Sequence, residues 1–212
     1  MKIRLIICLI ALSAALPSVP ARAEGETPKA ERPVWPPPGS TLTMRIKVSG
    51  SLGSGTREAT ATWLGEVDWE GRRVMGIARG GTHFYQDKER RPLAQVRDGK
   101  PILTFHPYEA NYDWPLFVGK SWTSEAQVTN HDRNQTFEEK LVYTVEAFEE
   151  ITVPAGTFKT FRIQFVTPEQ REVRWYEPKL GMEIKRDWER YATHRSGVGT
   201  LQIEAISYAI KK

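Results

Sequence analysis

The chain is 212 residues long, with 30 Lys and Arg against 26 Asp and Glu and a single cysteine. One cysteine excludes an internal disulfide and a multi-cysteine metal site. A nearly balanced charge, with no basic stripe interleaved with aromatic residues, removes the electrostatic case for nucleic acid as a partner.

Residues 1–23 carry the three parts of a secretory signal peptide. Lys2 and Arg4 form a positive start, Leu5 to Leu16 an apolar core, and Pro17 and Pro20 end it. Ala21-Arg22-Ala23 then places small residues at the two cleavage positions, so Glu24 is the expected first residue after processing. The apolar core is about a dozen residues, short of the ~20 needed to span a bilayer. Cys8 follows Ile6 and Ile7, without the small residue that lipid modification needs, so it is read as part of the signal and not as an anchor. With the signal removed no thiol remains, and the loss of Lys2, Arg4 and Arg22 brings the positive excess from four to one. No later apolar run approaches membrane length, so the expectation is a periplasmic or secreted protein with no membrane span after processing.

Residues 24–40 are rich in Pro, Glu, Lys and Gly and end in Pro36-Pro37-Pro38-Gly39. That composition cannot bury enough surface to offset its ordering entropy and reads as a Pro-rich flexible segment. Val34 and Trp35 are the apolar exceptions that could dock on the domain C-terminal to them.

Residues 41–212 read as one β domain, because period-two alternation recurs along them. Leu42, Met44, Ile46 and Val48 alternate with Thr43, Arg45 and Lys47. Trp122, Ser124, Ala126 and Val128 repeat the pattern, as do Phe137, Leu141, Tyr143 and Val145, then Phe161, Ile163 and Phe165, then Leu201, Ile203 and Ala205. Turn residues punctuate these runs. Asp98-Gly99 suits a two-residue hairpin in which both positions take positive φ, and Val153-Pro154-Ala155-Gly156 suits a type I turn. Asp98, Gly99, Pro154, Gly156 and Gly181 are accordingly assigned as structural turn positions. The expected fold is all-β, a single antiparallel domain forming a curved sheet or incomplete barrel of about nine or ten strands. Tyr108 to Trp114 is the one stretch assigned to a short helix.

Three segments carry a family resemblance: Trp114-Pro115-Leu116 through Val118-Gly119-Lys120-Ser121-Trp122, Val153-Pro154-Ala155-Gly156-Thr157-Phe158 into Phe161, and Val173-Arg174-Trp175-Tyr176-Glu177-Pro178 leading to Leu180-Gly181 and Lys185. In order and spacing, over roughly residues 112–190, they resemble the TapB-like family of exported bacterial proteins of unknown function. The resemblance implies a curved antiparallel sheet or incomplete barrel in the periplasm, and no catalytic residues. Many members of that family look lipid-anchored, and this chain lacks the cysteine for it. Taken without the family, the same residues are turn formers with large apolar neighbours, a fold signature.

Candidate chemistry is sparse. His83, His106, His131 and His194 have no metal-ligand spacing, and Glu177 with Asp187 is an acid pair that nothing in the pattern singles out. There is no Gly-x-Ser-x-Gly, no phosphate loop and no dinucleotide fingerprint, so no catalytic residue, metal or cofactor is assigned. Seven tryptophans are the one unusual feature. Trp122, Phe161 and Trp175 lie on or at the end of alternating segments and are assigned as ligand-binding candidates, rings that could line a concave apolar site. Trp175 and Tyr176 must point to opposite faces of one strand. Three functions remain open: a non-catalytic exported domain holding a lipid or other apolar small molecule in a groove, a cell-envelope module presenting an edge strand to a protein, and a hydrolase of envelope glycans or esters.

Overall fold

The computed structural model describes residues 28–212. The signal segment and the cleavage site before Glu24 lie outside the described residues. Fourteen strands run in chain order: β1 Lys29–Ala30, β2 Thr41–Gly50, β3 Gly55–Trp69, β4 Arg72–Arg79, β5 Thr82–Gln86, β6 Pro92–Arg97, β7 Lys100–His106, β8 Leu116–Phe117, β9 Ser121–Asn130, β10 Gln135–Val153, β11 Gly156–Val166, β12 Gln170–Glu177, β13 Met182–Arg190 and β14 Gly199–Ala209. All pairings are antiparallel. Twelve strands close into a barrel in the order β10-β11-β12-β13-β14-β2-β3-β4-β5-β6-β7-β9, and β1 and β8 form a separate two-stranded piece.

The sheet is therefore a closed barrel of twelve strands, in place of the expected curved sheet or incomplete barrel of nine or ten. Two features account for the difference. Strands β4 to β7 are short and separated by connections of two to five residues, so alternation has little length in which to show. Closure depends on β7 pairing with β9, Leu103 opposite Asn130 and His106 opposite Gln127, across an intervening stretch of irregular chain. No local pattern reveals such a contact.

Within the described residues there is no helix, and the stretch from Tyr108 to Trp114 is irregular. Its polar groups are claimed by the barrel wall instead of by a helical ladder: the Ala110 amide donates to Ser124 Oγ at 2.8 Å, and the Ala110 carbonyl accepts from Trp122 Nε1 at 2.7 Å. Pro107 and Pro115 bracket it and cannot donate.

Inward and outward positions alternate along each strand, as the pleat requires. Trp122, Ser124, Ala126 and Val128 are all buried, with exposed neighbours between them. Bulges at Trp63/Gly65, Val145/Ala147, Trp175/Tyr176 and Ala205/Ser207 reset that alternation. Two buried clusters fill part of the interior. One joins Leu42, Met44, Ile46, Trp63, Met182 and Ile184, and the other joins Tyr112, Trp122, Tyr143, Phe161, Ile163 and Tyr176.

The two rims differ. At the upper rim the connections 51–54, 131–134, 167–169 and 191–198 join consecutive strands. At the opposite, lower rim the Pro-rich segment lies across the barrel end. Trp35 Nε1 donates to the Lys88 carbonyl at 2.9 Å, and the Arg90 guanidinium sits 4.2 Å from the Trp35 ring centre. The end of this strap is tied to Trp63 by two backbone hydrogen bonds, Gly39 N to Trp63 O at 2.7 Å and Trp63 N to Ser40 O at 3.0 Å. Composition alone points to a free tether over residues 24–40. From Val34 onward the described part is instead docked and hydrogen-bonded on the barrel, because Trp35 and the buried Pro36 bring area that the Glu and Lys content conceals.

Candidate functional site: the barrel lumen

A cavity of about 960 Å³ occupies the barrel. That volume falls in the upper part of the range of about 300–1,000 Å³ typical of small-molecule sites. Apolar side chains line much of it, with Met44, Ile46 and Val48 from β2, Phe105 from β7, Val128 from β9 and Ile203 from β14 among them. The alternation that reads as a core face in β2 is in the folded barrel a cavity wall.

A belt of charged groups crosses the lumen at mid-height. Arg174 on β12 pairs with Glu172 two residues earlier on the same face. Arg186 on β13, opposite Arg174 in register, reaches Glu183 at 2.6 and 2.8 Å and lies 3.7 Å from Glu172. The Tyr143 hydroxyl donates to Glu109 at 2.9 Å and accepts from Arg174 at 3.4 Å. Burial pushes the Glu109 carboxyl above the ordinary carboxylate range, against the pull of Arg174 and the Tyr143 hydrogen bond. Burial also works to raise Glu183, but the Arg186, Arg174 and Arg79 guanidiniums outweigh it and hold that carboxyl low. The belt ties β10, β12, β13 and the 107–115 segment together with its acids matched to donors, which is the condition for a buried polar network to be tolerated.

Arginines dominate nearer the upper rim. Arg133, Arg190 and Arg195 line the cavity there beside His194, whose imidazole is held below its ordinary value by burial and Arg190, with Glu139 on β10 as the acid among them. Arg195 lies 3.7 Å over the Phe137 ring and Arg190 4.4 Å over Trp188. Burial, reinforced by Glu109, raises the Glu139 carboxyl to about 7, against Arg195 and a hydrogen bond from Gln170. Arg79 on β4 also faces the lumen, 4.5 Å over Phe84, and burial together with Arg186 lowers its guanidinium below the ordinary value.

The three ring residues assigned from sequence do not converge on this space. Trp122 is buried and stacked on Tyr143, centroids 5.4 Å apart, with its indole N–H spent on Ala110. Phe161, 1% exposed, packs in the same cluster against Phe148 at 4.7 Å. Trp175 points outward, bonded to Glu149 through Nε1 at 2.8 Å, with Lys185 4.5 Å over its ring, while Tyr176 points inward. None of the three lines the cavity. The rings that do include Trp63, Phe84, Phe105, Phe137 and Trp188. Alternation could have found Glu172, Arg174, Arg186 and Arg190, which share parity with inward neighbours, but charged residues on a strand are ordinarily solvated and give no such signal.

The assigned turn positions all lie at strand connections. Asp98 and Gly99 connect β6 to β7 with φ of +51° and +73°. Pro154 lies between paired Val153 and Gly156, and Gly156 has a φ of +132°. Gly181, with φ of +67°, precedes β13. Glu177 accepts from the Leu180 amide in that same turn, whereas Asp187 lies on the outer face with Arg171 and Val173, so the two acids do not face one space. His83 contacts Tyr85 and His131 contacts Thr104; among the described residues no group of three His, Cys, Asp or Glu is placed to hold a metal ion.

No family model matches the chain, so the TapB-like resemblance is not confirmed, and no curated protein matches it. Among solved structures, a candidate exported protein with a YmcC-like fold from Bacteroides fragilis is 11% identical with a TM-score of 0.46, over 84% of this chain and 99% of that one. A candidate lipoprotein from Parabacteroides distasonis is 12% identical with a TM-score of 0.41, over 87% and 100% of the two chains. The hypothetical lipoprotein YmcC from Escherichia coli is 11% identical with a TM-score of 0.37, over 81% and 86%.

Proposed function

We propose that this protein is an exported, non-catalytic β-barrel that holds an apolar small molecule, a lipid or an acyl chain, in its lumen. The observation that carries the reading is the cavity of about 960 Å³ within a closed barrel, walled by Met44, Ile46, Val48, Phe105, Val128 and Ile203. Barrels of this kind either fill their interior with side chains or enclose a ligand space. The signal segment at residues 1–23 and the TapB-like pattern over residues 112–190 support the periplasm as its compartment. The closed sheet weighs against the envelope-module reading, because each of its twelve strands has a neighbour on both sides and none presents a whole free edge for strand addition.

The test is organic extraction of the purified protein followed by mass spectrometry, with titration of an apolar fluorescent probe into the extracted protein. The expected result is an apolar species at about one per chain and saturable probe binding. An empty extract together with no probe uptake overturns the reading.

A further inference from the structure

Three arginines, Arg133, Arg190 and Arg195, line the cavity at the upper rim with Glu139 as the acid among them, and among the described residues none of the three is in an ion pair. Arg190 on β13 feels the charges of Arg133 and Arg195, with Glu139 as its opposing carboxylate. The ion pairs in the lumen, Arg174 with Glu172 and Arg186 with Glu172 and Glu183, use none of the three. Arg190 Nε is buried and has no hydrogen-bond partner. Arg133 and Arg195 are exposed and Arg190 is half-buried, so the three cations concentrate positive potential at one mouth of the cavity, where it favours an entering anion.

We propose that the ligand of the lumen is an anionic amphiphile: an apolar chain lies along the walls built by β2, β7 and β9, and a carboxylate or phosphate head is held by Arg133, Arg190 and Arg195. The inference rests on the lumen-binding reading above and adds the charge and position of the head group. Stacking fixes two of the three guanidinium planes, Arg190 on Trp188 and Arg195 on Phe137, and leaves their N–H edges available for a bidentate anion. Trp188 is itself held by donation of its indole N–H to Gln170 Oε1 at 2.9 Å, so the seat is backed by a fixed side chain. Burial raises the Glu139 carboxyl to about 7, so at neutral pH this single, partly ionised acid offsets only a fraction of the three positive charges. The apolar staves Met44, Ile46 and Val48 continue from this rim into the barrel, which gives a chain attached to such a head somewhere to go.

The experiment is isothermal titration calorimetry of the purified, extracted protein with dodecanoate, dodecyl phosphate, dodecanol, dodecylammonium and sodium phosphate, each tailed compound below its micelle concentration. Dodecanoate and dodecyl phosphate are expected to bind roughly tenfold or more tightly than dodecanol, since charge-assisted hydrogen bonds are the stronger class. Dodecylammonium should bind most weakly. In Arg190→Gln with Arg195→Gln the preference for the anion should fall to within about twofold while dodecanol affinity holds, and that retained affinity shows that the variant is folded. Arg195→Lys should recover part of the preference. Equal binding of acid and alcohol by the parent protein overturns the anion seat and leaves the apolar lumen standing. Binding of neither overturns both. Sodium phosphate binding as tightly as dodecanoate overturns the amphiphile, because the tail would then contribute nothing.

Discussion

The α-carbon of Gly181 sits against the carbonyl of Val34, in the space where any side chain would have to go. A Cβ built there overlaps the Val34 carbonyl and comes within 2.9 Å of Arg90 Nη2. Arg90 holds the same point from the other side, donating to the Val34 carbonyl at 2.6 Å and to the Gly181 carbonyl. The lower end of the barrel is thus closed by a contact between the strap and a turn that only glycine permits. Gly181→Ala should destabilise the protein by backbone strain of roughly 1–3 kcal/mol at positive φ, and in addition release the strap. Thermal unfolding would read the first effect and limited proteolysis near residues 30–40 the second; a variant with unchanged melting temperature and an unchanged cleavage pattern would show that the contact does not bind the strap.

Two aromatic truncations should differ sharply. Phe161 is 1% exposed and enclosed by Phe148, Ile163 and Tyr176, so Phe161→Ala should cost about 3–5 kcal/mol through the cavity it leaves. Trp175 faces outward, and Trp175→Ala should lose only a hydrogen bond to Glu149 and the Lys185 contact, about 1 kcal/mol. Urea unfolding of both variants separates the cases. Similar losses would mean that strand β12 is inverted, with Trp175 facing the interior.

The Pro154-Ala155 connection provides a separate check. Gly156 has a φ of +132°, outside the region that residues with side chains adopt, yet a Cβ there would meet Phe158 only at 3.8 Å. Gly156→Val should therefore destabilise through backbone strain of the order of 1–3 kcal/mol, and not through a clash. Gly156→Ala should cost nearly as much, because strain depends on φ more than on side-chain size. A large gap between the two variants in denaturant midpoint would point to crowding as the cause.

Period two was enough to place β2, β9 and most of β10, because Leu42 to Val48 put apolar residues on one face without interruption and Trp122 to Val128 do so with only the small Ser124 between. It failed where the inward face is charged. Glu139 interrupts the apolar series between Phe137 and Leu141, and Glu172, Arg174, Arg186 and Arg190 read as a wet surface although they look into the barrel. A large ring signals buried area but not which side of the wall it serves: Trp122 and Phe161 pack in the second cluster, and Trp175 lies on the outer face. Closure was illegible because it depends on pairings such as Phe105 with Val128 that join strands through the 107–120 excursion. The charged lumen, and with it the candidate site, becomes visible only once the sheet is closed.

The raised Glu139 carboxyl predicts how stability should vary with pH. Its ordinary value is 4.5 and burial brings it to about 7, with Glu109 and Glu172 adding to the shift and Arg195 and the Gln170 hydrogen bond opposing it. A carboxyl that binds its proton more tightly folded than unfolded stabilises the fold while protonated. That contribution is fully present below about pH 4.5 and is lost as pH rises through 7. At 1.36 kcal/mol per pKa unit the upper bound is roughly 3 kcal/mol. Glu109, shifted in the same direction, adds to the slope. Glu139→Gln keeps the shape and removes the titration, so the variant should lose less stability than the parent between pH 5 and 8 and melt higher at pH 8. Denaturant unfolding across that range, on protein freed of bound ligand, is the measurement. Parallel pH curves for parent and variant would show that Glu139 titrates like an exposed carboxylate, and that it is ionised beside Arg195 at neutral pH.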